Sequence, residues 1–261
     1  MLEMTIDSIR VSMMNYQHVV ILKEKNTDRY LPIWIGPSEA DAISVKLQNI
    51  HLSRPLTHDL LKNTIFALES ISGTTISKVV VSDLRADTFF AQIVFEVNDG
   101  PTPIIMNALG ENYLYGEKDK DKPVSFIWQS KRYDVKVIDG LQEGQRYLVQ
   151  LANDDGLIFE VTYDSNEQRW LLARIKLDSR PSDAIALAVR VTTPIFVEEA
   201  VLEKAGIVLD KDTGKPLSAH KGMAVNNRGD TKLNEQEFKR YPAIYDFINT
   251  LDVDDLGKRQ S

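Results

Sequence analysis

The stretch Asp178-Ser179-Arg180-Pro181-Ser182-Asp183-Ala184-Ile185-Ala186-Leu187-Ala188 turns a strand into a helix within a few residues. A short apolar strand carrying Ile175 and Leu177 meets a charged corner, and the corner meets a run of small residues. Pro181 suits the first helical position, where its missing N–H costs nothing. Asp183 then falls in the first turn, where a carboxylate meets the positive end of the helix. A second copy lies upstream. Tyr30-Leu31-Pro32-Ile33-Trp34-Ile35 reads as a strand, and Gly36-Pro37-Ser38-Glu39-Ala40 opens another helix. Pro-Ser-acid-Ala therefore marks two strand-to-helix corners. One reading is two well-capped helices. The other is two equivalent corners of one site, each offering backbone N–H groups and a carboxylate.

Composition narrows the function classes. The chain has 261 residues, 43% hydrophobic and 26% charged, with a net charge of −7. A broadly basic nucleic-acid binder is not expected; any action on DNA or RNA must use a local basic patch or metal ions held by carboxylates. There are no cysteines, which removes disulfides, thiolate metal sites and cysteine nucleophiles and suits a cytoplasmic location. The four histidines, His18, His51, His58 and His220, lack the spacing of a histidine-built zinc site. No apolar run reaches membrane-spanning length, and the first residues lack the pattern of a signal peptide. The expectation is therefore no membrane partner.

Strands are expected over 4–14, 18–22 and 30–35, with Pro32 favouring an edge or a bulge. Helices are expected over 37–50 and 58–70, the latter capped by Thr57 after the corner Arg54-Pro55-Leu56-Thr57-His58-Asp59. Strands follow at 76–84 and 88–97. Asn98-Asp99-Gly100 signals a hairpin, but Pro101 and Pro103 open an irregular stretch to Gly116. The balanced run Glu117–Lys122 reads as a solvated linker. Five short strands follow: 124–128, 132–138, 146–152, 157–163 and 169–174. Their spacing suggests a small barrel or sandwich. Phe126, Trp128, Tyr133, Tyr147, Phe159, Tyr163 and Trp170 are interleaved with basic residues, either to stack single-stranded bases or to fill the core of a small barrel. Residues 207–232 are polar, and 235–251 read as an amphipathic helix. An insertion at a hairpin tip explains this order. It gives a core from 1–98, an inserted all-β domain from 99–172, the second part of the core from 173–206, and a C-terminal extension from 207–261.

Four motifs in order carry a family resemblance: Asp28–Ala40, Arg54-Pro55-Leu56-Thr57-His58-Asp59-Leu60, Ser179–Ala188, and Pro194-Ile195-Phe196-Val197. Together they resemble the bifunctional nuclease family over about 1–97 and 173–206. The resemblance implies activity on both DNA and RNA. It also implies an α+β fold, a mixed sheet with packed helices, here interrupted by a small all-β barrel-like insertion. The insert resembles a small all-β domain of unknown function through Trp128-Gln129-Ser130-Lys131-Arg132-Tyr133-Asp134-Val135.

Phosphodiester hydrolysis needs a positioned water and neutralised charge at phosphorus, which carboxylates holding Mg²⁺ or Mn²⁺ supply. The carboxylates at or near corners are Glu39, Asp41, Asp59, Asp83 and Asp183. Glu39, Asp83 and Asp183 form the expected metal set; no organic cofactor is expected. Asp183, Glu39, Asp59 and His58 are the catalytic candidates, His58 as a general acid or base. Arg180, Arg54, Ser182 and Ser38 are the candidates for holding substrate, the arginines bidentately on phosphate. Each has a plainer reading: first-turn acids, a cap neighbour, or structural ion pairs. Two functions of different classes stay open. One is a metal-assisted nuclease; the other is a non-catalytic binding or regulatory module that recognises a small anion, nucleic acid or a protein partner. Hydrolysis of another phosphoester is a third. Edge strands and the apolar stripe of 235–251 also point to a homo-oligomer.

Overall fold

Each Pro-Ser-acid corner starts a helix where the sequence places one, with Pro37 and Pro181 in the first turn and the preceding residue extended. The computed structural model describes residues 1–11, 16–107, 123–143, 146–209 and 216–217. The charge run 117–122, most of the polar stretch 207–232 and the expected helix 235–251 lie outside the described residues. Strands β1 (Leu2–Val11), β2 (His18–Glu24) and β3 (Arg29–Ile35) lead into helices α1 (Pro37–Leu47) and α2 (Thr57–Ser72). Next come β4 (Thr74–Arg85), β5 (Thr88–Val97), β6 (Thr102–Asn107), β7 (Pro123–Trp128), β8 (Lys131–Glu143), β9 (Arg146–Ala152), β10 (Leu157–Asp164) and β11 (Arg169–Ser179). Helix α3 (Pro181–Val191), β12 (Ile195–Val197), helix α4 (Glu199–Ala205), β13 (Ile207–Leu209) and β14 (Pro216–Leu217) complete the order.

Two compact units share these elements. The first comprises Met1–Asp59, Val79–Ala91 and the chain from Arg180 onward; the second comprises Leu60–Lys78 and Gln92–Ser179.

In the first unit β1, β2 and β3 form an antiparallel meander. β12 pairs antiparallel with β1 and parallel with β4 through Val79, Val80 and Val81. That β-branched run is buried, as expected of a strand covered on both faces. β13 pairs with β3 only at Tyr30 and Arg29, so the ladder on that side ends before Pro32, as suits a proline near a sheet edge. Helices α1 and α3 pack together. Ala40 and Ala42 on one and Ala184, Ala186 and Ala188 on the other are fully buried, and these small side chains let the two backbones approach closely.

In the second unit six strands close into a barrel. β6 pairs with β7, β7 with β8, β8 with β9, β9 with β10, β10 with β11, and β11 back with β6, all antiparallel. Bulges in the β8–β9 and β10–β11 ladders supply the local twist that a tight ring needs. Phe126 and Phe159 are fully buried and meet edge-to-face at 5.0 Å; Tyr133 stacks on Phe126 at 5.1 Å. Trp128 and Trp170 are buried beside them. The aromatics of this segment form a core, which corrects the base-stacking reading for the buried rings.

The expected α+β class is likewise corrected. The protein is mostly β, with a closed six-stranded barrel and further strands, rather than a mixed sheet built around packed helices. Four helices are present among the described residues. The difference lies in the strands. β6 forms in the stretch read as irregular, because its partner is the distant β11 (Trp170 opposite Ile104) and not the adjacent β5. β11 is continuous across residues read as two separate strands. No helix among the described residues is long and apolar enough to cross a membrane.

Candidate active site at three helix starts

Three helices among the described residues carry an acid at the third helical position: Glu39 in α1, Asp59 in α2 and Asp183 in α3. At the first corner Gly36 precedes the helix, and the Glu39 side chain folds back over it. A Cβ at Gly36 would collide with Glu39 Oε2, so only glycine leaves room for this arrangement. Ser38 Oγ donates to the same oxygen at 3.0 Å. At the second corner Arg180 stands in the place of that glycine and reaches across to both acids. Its Nε donates to Asp183 Oδ2 at 2.7 Å, and one terminal nitrogen donates to Asp183 Oδ1 at 3.1 Å and to Glu39 Oε1 at 3.0 Å. His58, in the first turn of α2, places Nε2 3.3 Å from Asp183 Oδ1. Glu39, Arg180, Asp183 and His58 thus converge, although they come from three parts of the chain.

The electrostatics follow from these contacts. Glu39 is held below the usual carboxylate range, first by its own backbone N–H and then by Ser38 and Arg180 against the cost of burial. The Arg180 guanidinium is raised, chiefly by Asp183. His58 is largely buried, at 13% side-chain exposure, whereas Arg180 is open at 68%. The arrangement offers an imidazole oriented by a carboxylate, beside an exposed guanidinium.

Asp59 turns away from this group. Its Oδ2 accepts from the Leu56 N–H at 2.9 Å, closing the start of α2, and Oδ1 accepts from Arg190 Nε at 2.7 Å. Burial pushes its carboxyl up, but the Leu56 N–H and Arg190 outweigh it and the net shift is downward. Thr57 is the first helical residue, so the capping expected of it falls to Asp59. Arg54 lines a cavity of about 220 Å³ with Asp59 and Arg190. Ser182 is buried in the first turn of α3, Asp41 is exposed on α1, and Asp83 is bound by Arg85 at 2.6 Å and by the Leu84 N–H.

The expected metal set needs three oxygens around one point. Glu39 and Asp183 instead direct oxygens at Arg180, whose positive charge lies between them, and Asp83 is engaged elsewhere. Among the described residues no three His, Asp or Glu side chains are grouped to hold a metal ion. As arranged, these residues do not form a metal-binding set.

Reading the sequence missed Arg190. It is 5% exposed, and besides Asp59 it donates to the carbonyls of Ala186 at 2.9 Å and Ala42 at 3.1 Å. The signal was present: a lone charge in Ala-Leu-Ala-Val-Arg-Val must be paired if that helix is buried. Lys46 and His51, which line the same cavity, carried no comparable signal.

The family model of the bifunctional nuclease domain matches residues 20–108 and 146–210, which hold all three helix starts. That is more than half of the chain, and the chain belongs to the bifunctional nuclease domain family. The matched segments are separated by an insertion, within which β7 and β8 lie. The chain is also 28% identical to two uncharacterized proteins of Mycobacterium tuberculosis, one from strain CDC 1551 / Oshkosh and one from strain H37Rv. Each match covers 97% of both chains.

Proposed function

We propose that the protein hydrolyses phosphodiester bonds of RNA and DNA at the junction of the three helix starts. The observation that carries this reading is the convergence of His58, Asp183, Arg180 and Glu39 within one compact unit of a bifunctional nuclease domain protein. The Asp183 carboxylate oxygen accepts from Nε2–H, so Nδ1 is the nitrogen with a lone pair. His58 then moves the proton of the attacking or leaving oxygen, a role worth roughly 10²- to 10⁴-fold in rate. Asp183 is the positioning residue. Arg180, exposed and held by two carboxylates, meets the phosphate. A cysteine-free chain suits work in the cytoplasm.

The test is cleavage of single-stranded RNA and DNA by purified protein, with Mg²⁺, with Mn²⁺ and with chelator, because divalent-ion assistance is a separate question from the role of His58. Wild-type protein is expected to cleave. His58→Asn is expected to lose at least a hundredfold in rate at unchanged melting temperature. Undiminished cleavage by folded His58→Asn overturns the assignment.

A second reading has its own support. Arg180 neutralises both acids it touches, as a structural ion-pair network would. A binding module built on these corners would bind oligonucleotide or a small anion without turnover, and the same assay read for binding alone separates the two.

A further inference from the structure

We propose that the cavity between the end of α1 and the start of α2 is a phosphate-binding subsite for a nucleic-acid strand, with Lys46, Arg54 and His51 as its contacts. The cavity, about 220 Å³, suits a phosphate group with part of its sugar. Its wall carries three permanent cations, Lys46, Arg54 and Arg190, together with His51, against the single carboxylate of Asp59. Arg190 and Asp59 are paired at 2.7 Å, so Lys46 and Arg54 supply the excess positive charge. Neither forms a salt bridge with a carboxylate among the described residues. In a chain with a net charge of −7, composition alone does not predict such a concentration. The rest of the wall is largely apolar, including Val45, Ile50, Leu52 and Pro55. Low-dielectric walls focus the field of the cations on the hollow. A guanidinium fork beside a flexible ammonium is the pairing that phosphate oxygens take best.

Position gives the cavity a role. His58 and Asp59 are consecutive; the first faces Asp183 and the second pairs with Arg190 on the cavity wall. The first turn of α2 therefore stands between the subsite and the imidazole. A strand anchored by one phosphate in the cavity would run past His58 with a neighbouring linkage. The assignment to a strand rests on the nucleic-acid reading proposed above.

The experiment is fluorescence anisotropy of a labelled single-stranded RNA dodecamer across a salt series, with wild-type protein and Lys46→Ala/Arg54→Ala, each checked by thermal melting. Inorganic phosphate is added as competitor. The double variant is expected to bind at least tenfold more weakly at low salt, with a shallower salt dependence, and phosphate is expected to compete with wild type. Arg54→Glu, a change at an exposed position, serves if the double variant melts early. Unchanged affinity in a folded variant overturns the subsite, even where wild type cleaves RNA and the nuclease reading stands. Binding that is lost in the variant, with no cleavage by wild type, upholds the subsite and removes the nuclease reading. Wild type that binds phosphate but no oligonucleotide overturns the assignment to a strand.

Discussion

At Arg180 one guanidinium serves carboxylates from two helices. It is exposed, and exposed ion pairs contribute little to folding, so Arg180→Ala is expected to cost about 1 kcal/mol or less of stability. Its effect on cleavage should be much larger, since it removes both the cation for the phosphate and the anchor of Asp183. Melting temperature and single-turnover rate, measured on the same sample, check the contrast. Two carboxylates of the site region also set a pH dependence. Glu39 and Asp59 both titrate below the ordinary carboxylate range when folded. Their stabilisation is complete above the unfolded value of about 4 and is lost as pH falls through the folded values. Urea midpoints between pH 3 and 7 should therefore drop on the acid side, and Glu39→Gln should flatten that drop. Gly36 adds a third outcome. In Gly36→Ala the new methyl displaces the flexible end of Glu39 rather than the backbone, so the expected result is a modest stability change with Glu39 moved off Arg180. A crystal structure of that variant would show the move, and an unmoved Glu39 would refute it. Pro37, Pro181 and the acids after them were legible because first-turn chemistry is local. That Arg180 would bridge 141 residues back to Glu39 was not, since ion-pair partners are chosen by packing.

Elements explain why the corners meet. Helix α3 buries nearly its whole length on alanines, isoleucine and leucine, and a helix covered on every side must pair any charge it carries. Arg190 does so with Asp59 and two backbone carbonyls. Arg190→Ala strands Asp59 and both carbonyls and is expected to cost about 3 kcal/mol, the low end for breaking a buried pair because Asp59 is a third exposed. Chemical denaturation reads this directly. In the barrel Phe126→Ala removes a fully buried ring and its two aromatic partners, with an expected cost of about 3–5 kcal/mol. A cost below 1 kcal/mol would mean that the barrel core does not depend on that ring. Helix positions were readable from 3.6-residue periodicity over 37–50 and 58–70. Strand β6 was not, because Pro101 before it and Pro103 within it argue against a strand and its partner β11 is remote in sequence.

For the whole molecule, the acidic balance and the local cations make opposite demands on a nucleic-acid ligand. Net charge repels a strand at long range, while Lys46, Arg54 and Arg180 attract it at contact. About three phosphate contacts predict a slope near −2 for log affinity against log salt on a single strand. A slope of −5 or steeper would require a basic surface beyond these residues. The family was legible in the order of four short motifs, and the family model places its matched segments on either side of the insertion. The barrel-like character of residues 124–172 was legible in five strand spacings. Closure was not, because it needs β6, which pairs with β11 at Trp170–Leu172.

By itself the sequence determined what depends on near neighbours: where helices start, which acids sit in their first turns, and which strands alternate. It also determined the family, whose motifs are local strings. Tertiary structure alone decided the mostly β class, the ring of six strands, the meeting of His58 with Asp183 and of Arg180 with Glu39, and the pairing of Arg190. Each of these joins residues far apart in the chain. Such contacts form only when burial and strand pairing outweigh the entropy of closing long loops, and that balance belongs to the folded whole.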